Sequence, residues 1–289
     1  METEKCRTLL CALELGSITA AADYLGYSTS GVSRMLAALE EETGFPLLRR
    51  SHNGVAPTRE CEALLPTMRE LVHQAACYQQ TASALRGLDA GTITIGMSYG
   101  GFFRRVTKLM AVFRTQYPNI VFRTVEGTST ELSQALEEHR VDFCIISRRE
   151  GNHRWIQLKR DELLLMLPEN HPLAEKERIP LSCFANETFI EIYPDQETDN
   201  SRCLAENGIL THNRFSCAYS TSAMAMVEAG LGVTMMNAII AETLCGQVAI
   251  RSLDPPQYID MGIAAPPAHA MAPAARQFLE FVERELGEL

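Results

Sequence analysis

Apolar residues along the chain fall into three successive patterns. From residue 1 to about 58, Ala and Leu recur at helical spacing and give way to a short turn-rich stretch. From 59 to about 88, one helical run carries Leu64, Met68, Leu71, Ala75, Tyr78, Ala82 and Leu85 in alternating steps of four and three. That spacing lays a seam along one helix face and suits pairing with a second copy, the alternative being a helix packed on its own domain. Pro66 is expected to kink this run or to lie near its first turns. Gly87 and Gly91 mark the exit. From 91 to 289, short apolar runs alternate with helical ones, as in a parallel α/β domain.

In that last zone, Thr92–Met97, Ile120–Val125 and Val141–Ile146 read as strands. Helices over Phe102–Tyr117 and Thr130–His139 lie between them, and Pro118 stops the first. A second set begins near Glu162, with strands over 163–167, 189–192, 214–219 and 232–236. Its helices span 201–207 and 222–229, closed by Gly208 and Gly230. A short helix or turn is expected over 180–185. Segment 257–265 crosses back, and 274–286 is a terminal amphipathic helix. The pattern predicts one lobe of about 91–161 plus 266–289 and another of about 162–265, with a ligand-sized cleft between them.

The segment Ile18–Leu36 has the marks of a helix-turn-helix. Ala22 is small where the second helix crosses the first, and Gly26 supplies the positive φ of the turn. Ala21, Leu25, Tyr27, Val32 and Met35 are the expected anchors between the helices. Ser28 is a suitable N-cap. Thr29, Ser30, Ser33 and Arg34 then sit on the early face of the second helix, where hydroxyls and an arginine reach base edges and phosphates. Leu47–Arg50 and Val55–Pro57 flank Ser51-His52-Asn53-Gly54, a hairpin cue that predicts a wing. Arg49, Arg50 and His52 on it are candidates for phosphate contact. Without DNA, the same segment reads as a small interaction domain.

Bulk charge does not point to nucleic acid. The net charge is -10, and the first 60 residues hold more acids than bases, so the case rests on where charges stand. Hydrophobic residues at 46% suffice for a core in each half. No apolar run is long enough to span a membrane. Met1-Glu2-Thr3-Glu4-Lys5 lacks the regions of a signal peptide, so a cytosolic location is expected. The nine cysteines are irregularly spaced without a Cys-x-x-Cys pair. They read as reduced, buried thiols, and neither a metal site nor a cofactor is expected.

The run Gly16–Ala22, Leu25, Val32-Ser33-Arg34, Leu39-Glu40, Gly44, Leu47-Leu48, Arg50 and Thr58 resembles the N-terminal signature of LysR-type transcriptional regulators. Leu132–Asp142 and Val227–Val233 resemble that family's effector domain. The resemblance spans essentially the whole chain. It implies an α/β fold class: an all-α winged helix-turn-helix over 1–58, a dimerising linker helix over 59–88, and a two-lobed domain like periplasmic binding proteins over 91–289. It further implies double-stranded promoter DNA, a small-molecule effector, a homodimer or homotetramer, and RNA polymerase as partners, and no membrane. Such regulators often act on a neighbouring divergent gene and on their own promoter. Ser33 and Arg34 carry over to DNA first, then Thr29, Ser30 and Arg50. Thr58 is expected to cap the linker helix and to lie near phosphate. The chain departs from the pattern at Leu48, where Phe is usual, at Cys61, where Gly often stands, and at Asn237, where Pro is common.

Hydroxyl-rich segments fall at strand-to-helix junctions of the α/β zone. They are Ser98-Tyr99, Thr128-Ser129 and Ser220-Thr221-Ser222. Ligands bind at such junctions, where helix N-termini offer free N–H groups. Each hydroxyl has an alternative task in capping its own helix. Ser147 and Tyr193 are expected to face the same region, favouring a polar or carboxylate-bearing effector. Arg148 and Arg149 near the first crossover read as a solvated pair, with pairing to a ligand acid as the alternative. A thiol redox sensor is a second reading, with Cys203 and Cys217 as candidates and Arg202 beside the first. No catalytic or nucleotide motif supports an enzyme. A solute-binding protein would match only residues beyond the first 90.

Overall fold

The computed structural model describes residues 2–51, 54–85, 90–244 and 246–286, and the chain divides into two compact units, Met1–Asp89 and Ala90–Leu289. His52, Cys245 and the last residues of the expected linker lie outside the described residues.

The first unit runs α1 (Glu2–Glu14), α2 (Ile18–Leu25), α3 (Thr29–Thr43), β1 (Leu48–Ser51), β2 (Gly54–Pro57) and α4 (Arg59–Leu85). Local chemistry sets the turn between α2 and α3. Ser17 caps α2 through Ala20 N, Gly26 ends it at φ 73°, and Ser28 Oγ accepts from Gly31 N at 3.1 Å. Ala22 is fully buried, so α3 can cross closely, and Val32, Leu36 and Leu39 complete the contact, whereas Ala21 and Leu25, expected at the same crossing, pack with Cys11 and Ala12 of α1. Tyr27 is not an anchor as expected: it is 42% exposed and its hydroxyl donates to Glu4. β1 and β2 form an antiparallel hairpin with Leu48 opposite Pro57. Gly54 sits so close to Gly16 that a Cβ there would stand 2.3 Å from the Gly16 carbonyl oxygen. Val55 N donates to that same oxygen and ties the hairpin to the α1–α2 turn.

α4 continues through Pro66 as a single helix. It packs on α1 through Cys61, Leu64, Leu65, Met68 and Val72. The expected pairing seam is thereby corrected. Met68 is buried and Leu64 half-buried inside the unit, because the α1-facing stripe overlaps the seam over the first three turns. Leu71, Tyr78 and Leu85 remain exposed, with Ala75 and Ala82 half-buried between them.

The second unit contains β3 (Ala90–Met97), α5 (Gly100–Gln116), β4 (Asn119–Glu126), α6 (Ser129–Glu137), β5 (Phe143–Ser147) and β6 (Arg154–Pro168). It continues with β7 (Arg178–Pro180), β8 (Thr188–Ile192), α7 (Asp199–Glu206), β9 (His212–Cys217) and α8 (Ser220–Glu228). It ends with β10 (Thr234–Asn237), α9 (Ala238–Ala241), β11 (Val248–Ala265) and α10 (Pro273–Leu286). The order β10-β6-β11-β5-β3-β4 forms one sheet, with β7 on β11 and a separate β8-β9 pair. The sheet is mixed and not parallel throughout: β3 pairs β4 and β5 in parallel, while β6 and β11 run antiparallel. The strand expected over 163–167 begins at Arg154, and the return strand begins at Val248. Charged Lys159–Glu162 and the Pro255-Pro256 pair hid these extensions from the apolar pattern.

Phe113, Phe122, Phe143, Phe278 and Phe281 cluster where α5 and α10 cover β3–β5. Two further cores, one around Phe184, Phe189 and Leu253 and one around Ile190, Val227 and Met236, lie at the other end of the sheet. β6 and β11 join these ends as one ladder. Its register shifts between Ser252 and Gln257 and again between Met261 and Gly262.

Candidate functional site

In the first unit, the cations divide into two groups. Lys5 pairs with Glu42 and Arg7 with Glu4. Arg34 on α3 and Arg50 on β1 are exposed and make no hydrogen bond or ion pair among the described residues. Arg49 is also exposed and donates from Nε to Pro57 O at 3.0 Å, which lays its guanidinium along the wing. Thr29 and Ser30 are exposed in the first turn of α3, Ser28 is occupied as its cap, and Ser33 is half-buried. Thr58 Oγ1 accepts from Cys61 N at 3.1 Å, so it caps α4, and it donates to Pro46 O at 2.9 Å. The surface left open therefore combines hydroxyls and arginines on a helix start and a hairpin.

In the second unit, a chamber of about 70 Å³ lies where strand ends meet helix starts. Ser98, Tyr99, Thr128, Ser129 and Tyr193 line it, which brings together five of the residues expected there. Thr221 and Ser222 do not line it, and Ser220 does. α8 begins at Ser220, two residues earlier than expected, and at about 100° per residue Ser222 is turned about 200° away. Ser147 is buried and lines a neighbouring, wider cleft of about 670 Å³. Thr128 caps α6 in a reciprocal box with Glu131, so its hydroxyl serves its own helix.

Asp199, at the start of α7, stands in the wall of both spaces. Its carboxylate accepts from Tyr99 OH, from Ser147 Oγ and from Arg149 Nη2, the last at 3.1 Å. Arg149 also donates from Nη1 to Ser147 Oγ at 2.6 Å and from Nε to Thr130 Oγ1 at 2.9 Å. Its side chain is 7% exposed, so the reading of Arg149 as solvated is corrected, whereas Arg148 is exposed. Burial, reinforced by Asp199, pushes the Tyr99 phenol above its ordinary range, so it stays protonated and donates. Asn237 also lines the chamber. It is 5% exposed, and its amide Nδ2 has no hydrogen-bond partner. Tyr193 holds φ 58°, a strained value for a bulky residue. The sequence reading missed Asp199 as a site residue; the start Thr198-Asp199-Asn200-Ser201 signals a capped helix, not a contact across a cleft.

Burial disfavours the thiolate at both candidate sensor residues. Burial pushes Cys203 up to about 11, helped by Glu206 and Asp199, and burial also raises Cys217. No cluster of three metal-ligating side chains exists among the described residues, and no described helix is long and apolar enough to cross a membrane.

Comparison with known proteins bears on both units. Residues 3–62 match the model of bacterial regulatory helix-turn-helix proteins of the lysR family, and residues 86–287 match the LysR substrate binding domain. The chain is 28% identical over 277 residues to YvbU, an uncharacterized HTH-type transcriptional regulator of Bacillus subtilis, covering 95% of each. A full-length OxyR variant from Pseudomonas aeruginosa superimposes with a TM-score of 0.71 at 19% identity, covering 99% of this chain and 97% of that one. Full-length CbnR complexed with its target DNA gives 0.62 at 18% identity, with 98% and 99% covered.

Proposed function

The chain belongs to the LysR family of bacterial regulators, and on that premise we propose that it controls transcription by reading promoter DNA with α3 and the wing, under a small polar effector bound in the cleft. The observation that carries this reading is the division of charge in the first unit. Lys5 and Arg7 on α1 are paired with acids, while Arg34 and Arg50 are left open beside Thr29 and Ser30. Such a surface binds phosphate electrostatically and reads base edges with a few side chains. CbnR, whose fold is shared, is known bound to target DNA.

α4 pairs two copies through Leu71, Ala75, Tyr78, Ala82 and Leu85, which places two recognition helices on successive half-sites. A tetramer, contact with RNA polymerase and a cytosolic location complete the reading. The likeness to OxyR at 19% identity extends to the fold alone, and the protonated, mostly buried thiols weigh against peroxide sensing.

Fluorescence anisotropy on the intergenic DNA upstream of the gene tests the proposal. Wild type binds it tightly and weakens as salt rises. Arg34→Ala loses about 1–3 kcal/mol of preference over scrambled DNA. Equal affinity of wild type for target and scrambled DNA, across the salt series and with small acids added, sinks the reading.

A further inference from the structure

Asp199 is the one charged residue lining the chamber, and the groups that hold it come from the other side of the cleft. Tyr99 follows β3, Ser147 ends β5, and Arg149 lies just beyond, whereas Asp199 opens α7. Tyr99 OH engages Oδ2; Ser147 Oγ and Arg149 Nη2 engage Oδ1. Ser129 braces the cradle, accepting from Ser147 N at 3.0 Å and meeting Tyr99 OH at 3.2 Å. The two charged side chains are 7% and 10% exposed.

A buried guanidinium and two hydroxyls that converge on one carboxylate form a site for carboxylates. Tyr99 and Ser147 are also residues that the sequence assigns to the effector. The same donors cannot serve a second acid while Asp199 fills them, because two carboxylates in one cradle repel. We propose that Asp199 is a tethered stand-in for the effector's acid group: the effector is a small carboxylic acid that displaces Asp199 from Arg149, Ser147 and Tyr99, and the exchange unlatches α7 from the β3–β5 lobe. This rests on the cleft being the effector site.

The surroundings suit such an exchange. Asp199 also borders the wider cleft, which is lined by Arg148 as well as by Glu150, Glu206 and Asp260, so the displaced carboxylate can turn toward solvent there. In the chamber, the unpartnered Nδ2 of Asn237 is a donor in wait for a second oxygen of the ligand. The chamber is small, about 70 Å³ against about 670 Å³ for the wider cleft, which suits a short acid.

Full-length wild type, Asp199→Asn and Asp195→Asn are titrated with acetate, malonate and succinate, each against its amide. Calorimetry and the fluorescence of Trp155 read binding; this is the sole tryptophan, and it lines the wider cleft. Asp199→Asn is expected to bind at least one acid about tenfold more tightly than wild type and to gain nothing for the amides. Asp195→Asn, which removes a nearby exposed acid outside the cradle, is expected to follow wild type. Asp199→Ser serves as a second variant should the asparagine form fold poorly, and Asp199→Asn with Arg149→Gln is expected to lose the gain. No gain for any acid in either Asp199 variant overturns the proposal, as does an equal gain in Asp195→Asn or for the amides. Anisotropy on the promoter DNA in the same samples separates the two ideas. Intact wild-type binding with no acid gain removes only the stand-in, whereas absent DNA recognition with a clear acid gain removes only the regulator.

Discussion

The Glu40 carboxylate, on α3, accepts from the backbone of Leu47 at 2.7 Å and Leu48 at 3.2 Å. It thereby ties the end of the reading helix to the first strand of the wing. Glu40→Ala leaves two N–H groups without their charged acceptor, a loss of about 1.5–3 kcal/mol for such bonds. A thermal melt of the isolated change is expected to fall by several degrees, and binding to promoter DNA to weaken more than it does for Glu41→Ala. Equal melts for the two variants would show that the bond contributes nothing. Residues such as Gly26 and Ser28 were legible in the sequence because their tasks are fulfilled within a few positions. Asp199 was not, because its partner Tyr99 lies 100 positions away. Asn237 stood out as a departure from the family pattern, but nothing in the chain told that its amide would be buried without a partner.

At the scale of elements, α4 serves two surfaces at once. Its first turns bury Cys61 and Met68 against α1, and its later turns expose Leu71, Tyr78 and Leu85. Met68→Ala is expected to cost about 2–5 kcal/mol of stability through the cavity it leaves. A Leu71→Glu, Tyr78→Glu pair is expected to leave the melt of the unit nearly unchanged and to shift sedimentation from dimer to monomer. A double variant that still sediments as a dimer moves the pairing surface elsewhere. Heptad spacing announced this helix but not the point where one face ends and the other begins, since both stripes use the same apolar types. The phase of α8 escaped in a similar way: a start two residues early carries Ser222 off the chamber wall.

Across the whole molecule, protonation of the thiols links folding to pH. Burial first, then nearby carboxylates, push Cys61 and Cys203 up to about 11. An unfolded thiol titrates near about 8.5. Above that value the unfolded chain sheds protons that the folded chain keeps, so stability is full below it and declines as pH rises toward about 11. Urea midpoints measured from pH 7 to 10.5 are expected to stay level and then drop, with less of a drop in Cys61→Ala. A flat profile would show that these thiols ionise as freely folded as unfolded. The two-part architecture and the alternation of strands and helices were readable from pattern alone. The mixed sheet was not, because the strands that make it so carry charges and prolines at their middles.

Those two strands have a mechanical consequence. β6 and β11 are hydrogen-bonded to each other along most of their length, and they connect both ends of the second unit. The ends are therefore not coupled by two independent joints; they share one twisted ribbon, so a rotation of one end against the other winds or unwinds it. Its resting twist depends on where the register slips, between Ser252 and Gln257 and between Met261 and Gly262. On the proposed reading, strand register sets the point from which the protein responds, and an insertion or deletion at either slip is expected to shift it without removing any residue that lines the chamber.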